Sequence, residues 1–212
     1  MATVQSALAN RARSMIVTPK TEWPVIDGEP ATIGDIYRNY VFPLAAIPAV
    51  AGLIGQMLVG VSVLGTTVTL SPVTAIGSAI TQYIMSLILV FLIALIIDGL
   101  APTFGGTKNR TQAFKVAAYA NTAAWLAGVL LFLPQLAPLA GLLSLYGLYL
   151  LYLGLPLLMR APADKALGYT VVTILAAIVL FIIAGAIATT AGRLLSPTMP
   201  IAGMAGSAIA VG

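Results

Sequence analysis

Residues Val73 to Ile97 read VTAIGSAITQYIMSLILVFLIALII, twenty-five positions without a single charged side chain. At about 1.5 Å of rise per residue, a helix of this length covers the roughly 30 Å hydrocarbon core of a bilayer. Four more stretches of similar character flank it: Tyr40–Leu64, Phe114–Leu133, Leu139–Met159 and Tyr169–Ala191. The only charge inside any of them is Lys115, one position from an end, where a long side chain is expected to snorkel to the interface.

Composition agrees with this reading. The chain has 212 residues, 60% of them hydrophobic and 8% charged, whereas soluble domains carry about 25% charged residues. Its mean hydropathy of +1.04 excludes disorder. With no His and no Cys, zinc sites built on imidazole or thiolate, Ser-His-Asp triads, thiol nucleophiles and disulfides are ruled out within the chain. An intramembrane enzyme would have only Tyr or Lys as acid or base, so no catalytic residue, cofactor or metal is expected. The predicted fold is all-α, a polytopic bundle of five transmembrane helices.

Charge placement gives a direction. Arg11, Arg13, Lys20 and Arg38 precede the first span, Lys108, Arg110 and Lys115 follow the second, and Arg160 and Lys165 follow the fourth. Only Arg193 lies beyond the fifth. The positive-inside rule then predicts a cytoplasmic N-terminus and an external C-terminus. It also explains the sequence pI near 9.5 as topology, with no nucleic-acid partner expected. The expected division is a cytoplasmic arm over 1–39, a five-helix domain over 40–191 and an external tail, rich in Ala and Gly, over 192–212.

The arm lacks the apolar region of a cleavable signal. Thr18-Pro19 suits a helix start, and a short interfacial turn would carry Glu22 and place Trp23 among the headgroups. Thr32 with Asp35 resembles a capping box, and Pro43 and Pro48 predict a bent or unwound entry to the first span. Small residues at Ala120/Ala124/Gly128, Gly147/Gly154 and Ala184/Ala188/Gly192 are expected at helix contacts, within one chain or in a homo-oligomer.

Two sets of residues are candidates for function. Trp23, Lys108, Arg110, Lys115, Arg160 and Lys165 would form a cytoplasmic face for anionic lipid or a membrane-associated protein. Gln56, Gln82, Asp98, Tyr119, Asn121, Tyr146, Tyr149 and Tyr152 are the polar groups in or near the membrane. Their ordinary reading is interhelical hydrogen bonding, with Asp98 paired to Lys108, Arg110 or Lys115 and the tyrosines in core packing. The sharper reading is a polar path for a small solute or cation. Gly105-Gly106-Thr107-Lys108 lacks the order of a phosphate loop, because Thr precedes Lys after a membrane helix.

Several of these stretches together resemble the Yip family, the Ypt/Rab-interacting-protein domain of five-span membrane proteins, in its bacterial branch. The likeness runs from Pro19-Lys20-Thr21-Glu22-Trp23 through Tyr37, Tyr40 and Pro43-Leu44-Ala45. It is strongest from Gly105-Gly106 through Gln112-Ala113-Phe114-Lys115-Val116-Ala117-Ala118-Tyr119-Ala120, and returns at Tyr146–Gly154 and Asp164–Tyr169. Many members carry a proline four residues after the tyrosine matching Tyr119. This chain has Ala123 there, which leaves a proline-made helix break without support. The resemblance implies a non-enzymatic inner-membrane protein that binds a membrane-associated partner or organises lipid. A small channel or transporter is the alternative.

Overall fold

The computed structural model describes residues 2–63, 66–68 and 71–195. Five helical stretches are long and apolar enough to cross a membrane: Ile33–Leu58, Pro72–Phe104, Arg110–Phe132, Pro134–Leu158 and Ala163–Ile187. They are called the first to fifth spans below. Local capping, which hydropathy does not register, sets several of their starts. Thr32 and Asp35 form the expected capping box before Ile33, and the Asn109 side chain accepts from the Gln112 backbone N–H at 3.1 Å.

The first span opens with α3 (Ile33–Ile36) and a π turn over Tyr37–Val41, then continues as α4 (Phe42–Leu58). The wide turn is the unwinding that the prolines predicted. Pro43 has no N–H to give Asn39, and its ring crowds the carbonyl four residues back. α4 stops at Leu58, short of the expected Leu64, because Gly60 takes a φ of 79° and turns the chain. Two short antiparallel strands follow, β1 (Val61–Val63) and β2 (Thr66–Val68), in register Val61 with Val68. α5 (Pro72–Leu100) then forms the second span.

The third span is broken despite having no proline. α6 (Arg110–Ala120) and α7 (Thr122–Ala127) meet at Asn121, and a 3₁₀ turn completes the span over Gly128–Phe132. Asn121 Nδ2 donates to the Ala117 carbonyl at 2.9 Å, and Thr122 Oγ1 donates to that of Tyr119 at 2.6 Å. Both side chains take carbonyls that a continuous helix would use. The fourth span is α8 (Ala137–Ser144) and α9 (Tyr146–Leu158), and the fifth begins α10 (Ala166–Leu195).

Small residues let these elements approach closely, as expected of helices in lipid. A Cβ on Gly128 would stand 2.5 Å from Pro48, and one on Gly147 would stand 2.8 Å from the Ala120 carbonyl oxygen. In the fifth-span stripe Ala184 is buried, while Ala188 and Gly192 lie outside the residues whose burial is described. The tail from 196 to 212 is also outside the described residues.

The largest departure from expectation is the arm. It forms two helices, α1 (Ala2–Val17) and α2 (Pro19–Gly28), that fold back on each other and pack into the bundle. Ala12, Met15, Pro19, Trp23 and Ile26 recur at helical spacing and are all buried. Tyr146 donates its hydroxyl to the Ile16 carbonyl at 2.9 Å. Tyr146 stands twelve residues from either end of Pro134–Leu158, so the tip of the hairpin reaches the middle of the fourth span. Trp23 is therefore not a headgroup anchor; it is 1% exposed, with Tyr119 edge-on to its indole at 6.4 Å. Thr18-Pro19 does begin α2, although the Thr18 side chain makes no cap bond.

Candidate functional site

The two loops at the rim end of the second and fourth spans lock together. A 3₁₀ turn over Ala101–Phe104 ends at Gly105, whose φ of 73° suits glycine. The Thr107 N–H donates to the Met159 carbonyl at 2.8 Å. A Cβ on Gly106 would come within 2.7 Å of that same carbonyl oxygen, so only glycine allows the approach. Pro162 covers Gly105 from the other loop. This lock holds the loop carrying Lys108 and Arg110 against the loop carrying Arg160 and Lys165, and all four residues are exposed.

The four cations differ in their partners. Arg110 Nε lies 3.9 Å from Asp98 Oδ2, one of the three pairings expected for that carboxylate. Asp98 is buried, and its Oδ1 has no hydrogen-bond partner. Arg160 donates to Asp27 at 2.9 Å and so ties the rim to α2. Among the described residues Lys108 and Lys165 have no ionic partner.

Lys115 does not join this rim, and it does not snorkel. Its ammonium is buried and donates to the Ile26 and Glu29 carbonyls at 2.7 and 2.6 Å. It thus serves the unpaired carbonyls at the end of α2. One turn earlier, Gln112 Nε2 donates to the Asp27 carbonyl and carboxylate at 3.2 and 3.1 Å. Trp23 and Lys115 therefore hold the arm in place.

Reading the sequence missed the charge cluster inside the hairpin. Arg11 pairs with both Glu22 and Glu29. Burial works against its charge, but the two carboxylates more than offset that and raise the guanidinium pKa above its ordinary value. No local spacing announces this triad, because its members lie on different helices. A second unforeseen pair joins spans one and three, with Tyr40 Oη and Thr122 Oγ1 at 2.6 Å.

The polar residues of the membrane are dispersed. Ser78 donates to Gln56 at 3.2 Å, and Gln56 and Gln82 flank Gly52. Tyr119 lines a cavity of about 480 Å³ with Arg11 and Tyr40. Asn121 lines a separate crevice of about 230 Å³ among the second to fifth spans, with Ser144 and Thr173. Tyr146 is occupied by Ile16, while Tyr149 and Tyr152 are 39% and 41% exposed on the outside of the bundle, not in core packing.

Residues 13–186 match the family model of the Yip1 domain. The chain belongs to the Yip1 domain family. In this Yip1 domain the match begins within α1, so the tip of the inserted hairpin and all five spans belong to the family unit. The chain is similar to the protein named inner membrane protein YohC of Escherichia coli strain K12. The two are 29% identical over 156 residues, covering 72% of this chain and 80% of that one. The protein of the same name from E. coli O6:H1 matches to the same extent. No solved structure matches the chain.

Proposed function

We propose that this Yip1-domain chain is a non-enzymatic, multi-pass inner-membrane protein whose rim recruits anionic lipid and, through it, a membrane-associated partner. The interlock of the Gly105 and Met159 loops carries the reading, because it joins the two loops that bear Lys108, Arg110, Arg160 and Lys165 where two spans end. A cation beside an anionic leaflet contributes about 1 kcal/mol of attraction, and Lys108 and Lys165, which have no ionic partner among the described residues, are free to supply it. Similarity to an inner-membrane protein supports the location, and the positive-inside pattern supports a cytoplasmic rim.

The test is to replace Lys108 and Lys165, the two rim cations without an ionic partner among the described residues, by Gln and measure the acidic phospholipid that copurifies with the full chain. Enrichment should fall severalfold with the melting temperature unchanged. Undiminished enrichment would place the lipid-recruiting face elsewhere. Arg110 and Arg160 are left out of the set because they neutralise Asp98 and Asp27, and Lys115 because its loss would release the arm.

One observation favours a second reading, a path for a small solute. The Asn121 crevice holds the Thr173 hydroxyl, which is buried without a partner. Purified protein in proteoliposomes that passes none of a panel of ions and small metabolites would set this reading aside.

A further inference from the structure

The outward side of the arm is polar at a depth where lipid chains are expected. The Tyr146–Ile16 hydrogen bond fixes the hairpin tip halfway along the fourth span. Arg13 precedes Ile16 by three residues, less than one turn of α1, and so lies at nearly the same depth. Lys20 sits in the first turn of α2, just past the tip. Both side chains are exposed, and neither has an ionic partner among the described residues. An unpaired charge at the level of hydrocarbon costs about 2.5–3.5 kcal/mol even on the lenient scale.

An apolar groove begins at the same place. Its volume is about 680 Å³, within the range of roughly 300–1,000 Å³ for small-ligand sites. Ile16, Tyr146, Leu126, Leu130, Leu142 and Leu143 are among the residues that line it. Two cations without an ionic partner among the described residues, Arg13 and Lys20, therefore stand within four residues of Ile16, which lines this leucine-rich groove.

We infer that this is a binding site for one phospholipid of acidic headgroup, with its phosphate drawn down to Arg13 and Lys20 and an acyl chain in the groove. The phosphate supplies the countercharge that the protein withholds, and the groove supplies the specificity for a lipid over free phosphate. The leaflet is pulled inward at the hairpin as a result. This deepens the lipid-recruiting function proposed above by assigning a discrete site outside the rim.

Native mass spectrometry of the full chain, released from nanodiscs of mixed phosphatidylglycerol and phosphatidylethanolamine, tests it. The wild-type chain should retain a phosphatidylglycerol molecule. R13Q/K20Q should weaken that retention by about thirtyfold. A127L, which fills the groove with the charges intact, should weaken it too, and the rim variant should leave it unchanged. Retention by R13Q/K20Q equal to wild type overturns the site. Loss only in the rim variant overturns it as well, while the rim reading stands. Displacement of the lipid by millimolar glycerol 3-phosphate would show that phosphate alone is recognised, and would overturn the role of the groove. If A127L does not fold, the double variant decides, because both of its positions are exposed.

Discussion

The indole of Trp23 rests on Gly154 so closely that a Cβ on the glycine would stand 2.7 Å from the ring. Neither residue can change alone without disturbing how the arm seats on α9. Gly154→Ala should lower stability by about 1–3 kcal/mol through overpacking. Trp23→Ala should cost about 3–5 kcal/mol by opening a cavity. The double variant should cost less than the sum, because removing the indole removes the clash. Thermal unfolding in detergent measures all three, and strictly additive costs would mean the two residues do not touch.

Lys115 holds the arm by a different force. Replacing it with Met keeps the stem but leaves the Ile26 and Glu29 carbonyls without their donor. An orphaned buried polar group costs about 1–3 kcal/mol, so the arm should open more often by a factor of about ten or more. The chain has no Cys, so a single Cys at the buried Ala12 position reports opening cleanly. Labelling by a water-soluble maleimide should be faster in Lys115→Met. An unchanged rate would assign the docking to Trp23 alone.

The five spans were legible because lipid imposes one demand, length without charge, and Val73–Ile97 meets it openly. The docked arm was less legible, although its pattern was present. Ala12, Met15, Pro19, Trp23 and Ile26 keep helical spacing across the Thr18-Pro19 junction. The polar residues between them read as a solvated segment, and only tertiary contacts show which side faces the bundle. The rim was half legible for the same reason. Sequence identifies a cation but not its direction, so Lys115 and Arg110 looked alike, and the structure separates them. The break at Asn121 shows the limit of reading prolines, because amide and hydroxyl side chains compete for backbone carbonyls just as effectively.

That break also links spans. Thr122 Oγ1 donates to Tyr119 and meets the Tyr40 hydroxyl, so Thr122→Val and Tyr40→Phe should be coupled in a double-mutant cycle. Interhelical hydrogen bonds in membranes average about 0.6 kcal/mol and reach about 1.7. The coupling should fall toward the upper end, because both groups are fully buried. A coupling energy near zero would mean that Thr122 acts only on its own helix.

The direction expected for the chain across the bilayer draws on contacts as much as on charge. Asp27 is bonded to Arg160, and Gln112 to Asp27, so the arm and the loops after the second and fourth spans share one side. Five crossings would then deliver the end of the fifth span to the opposite side. Which side is cytoplasmic rests on the nine basic residues at the arm and those two loops. Single cysteines at the exposed Lys108 and Gln135 positions should therefore differ in intact cells. An impermeant thiol reagent should label Gln135→Cys and spare Lys108→Cys until the membrane is opened. The reverse pattern would leave the bundle intact but turn the cationic rim outward, away from any cytoplasmic partner.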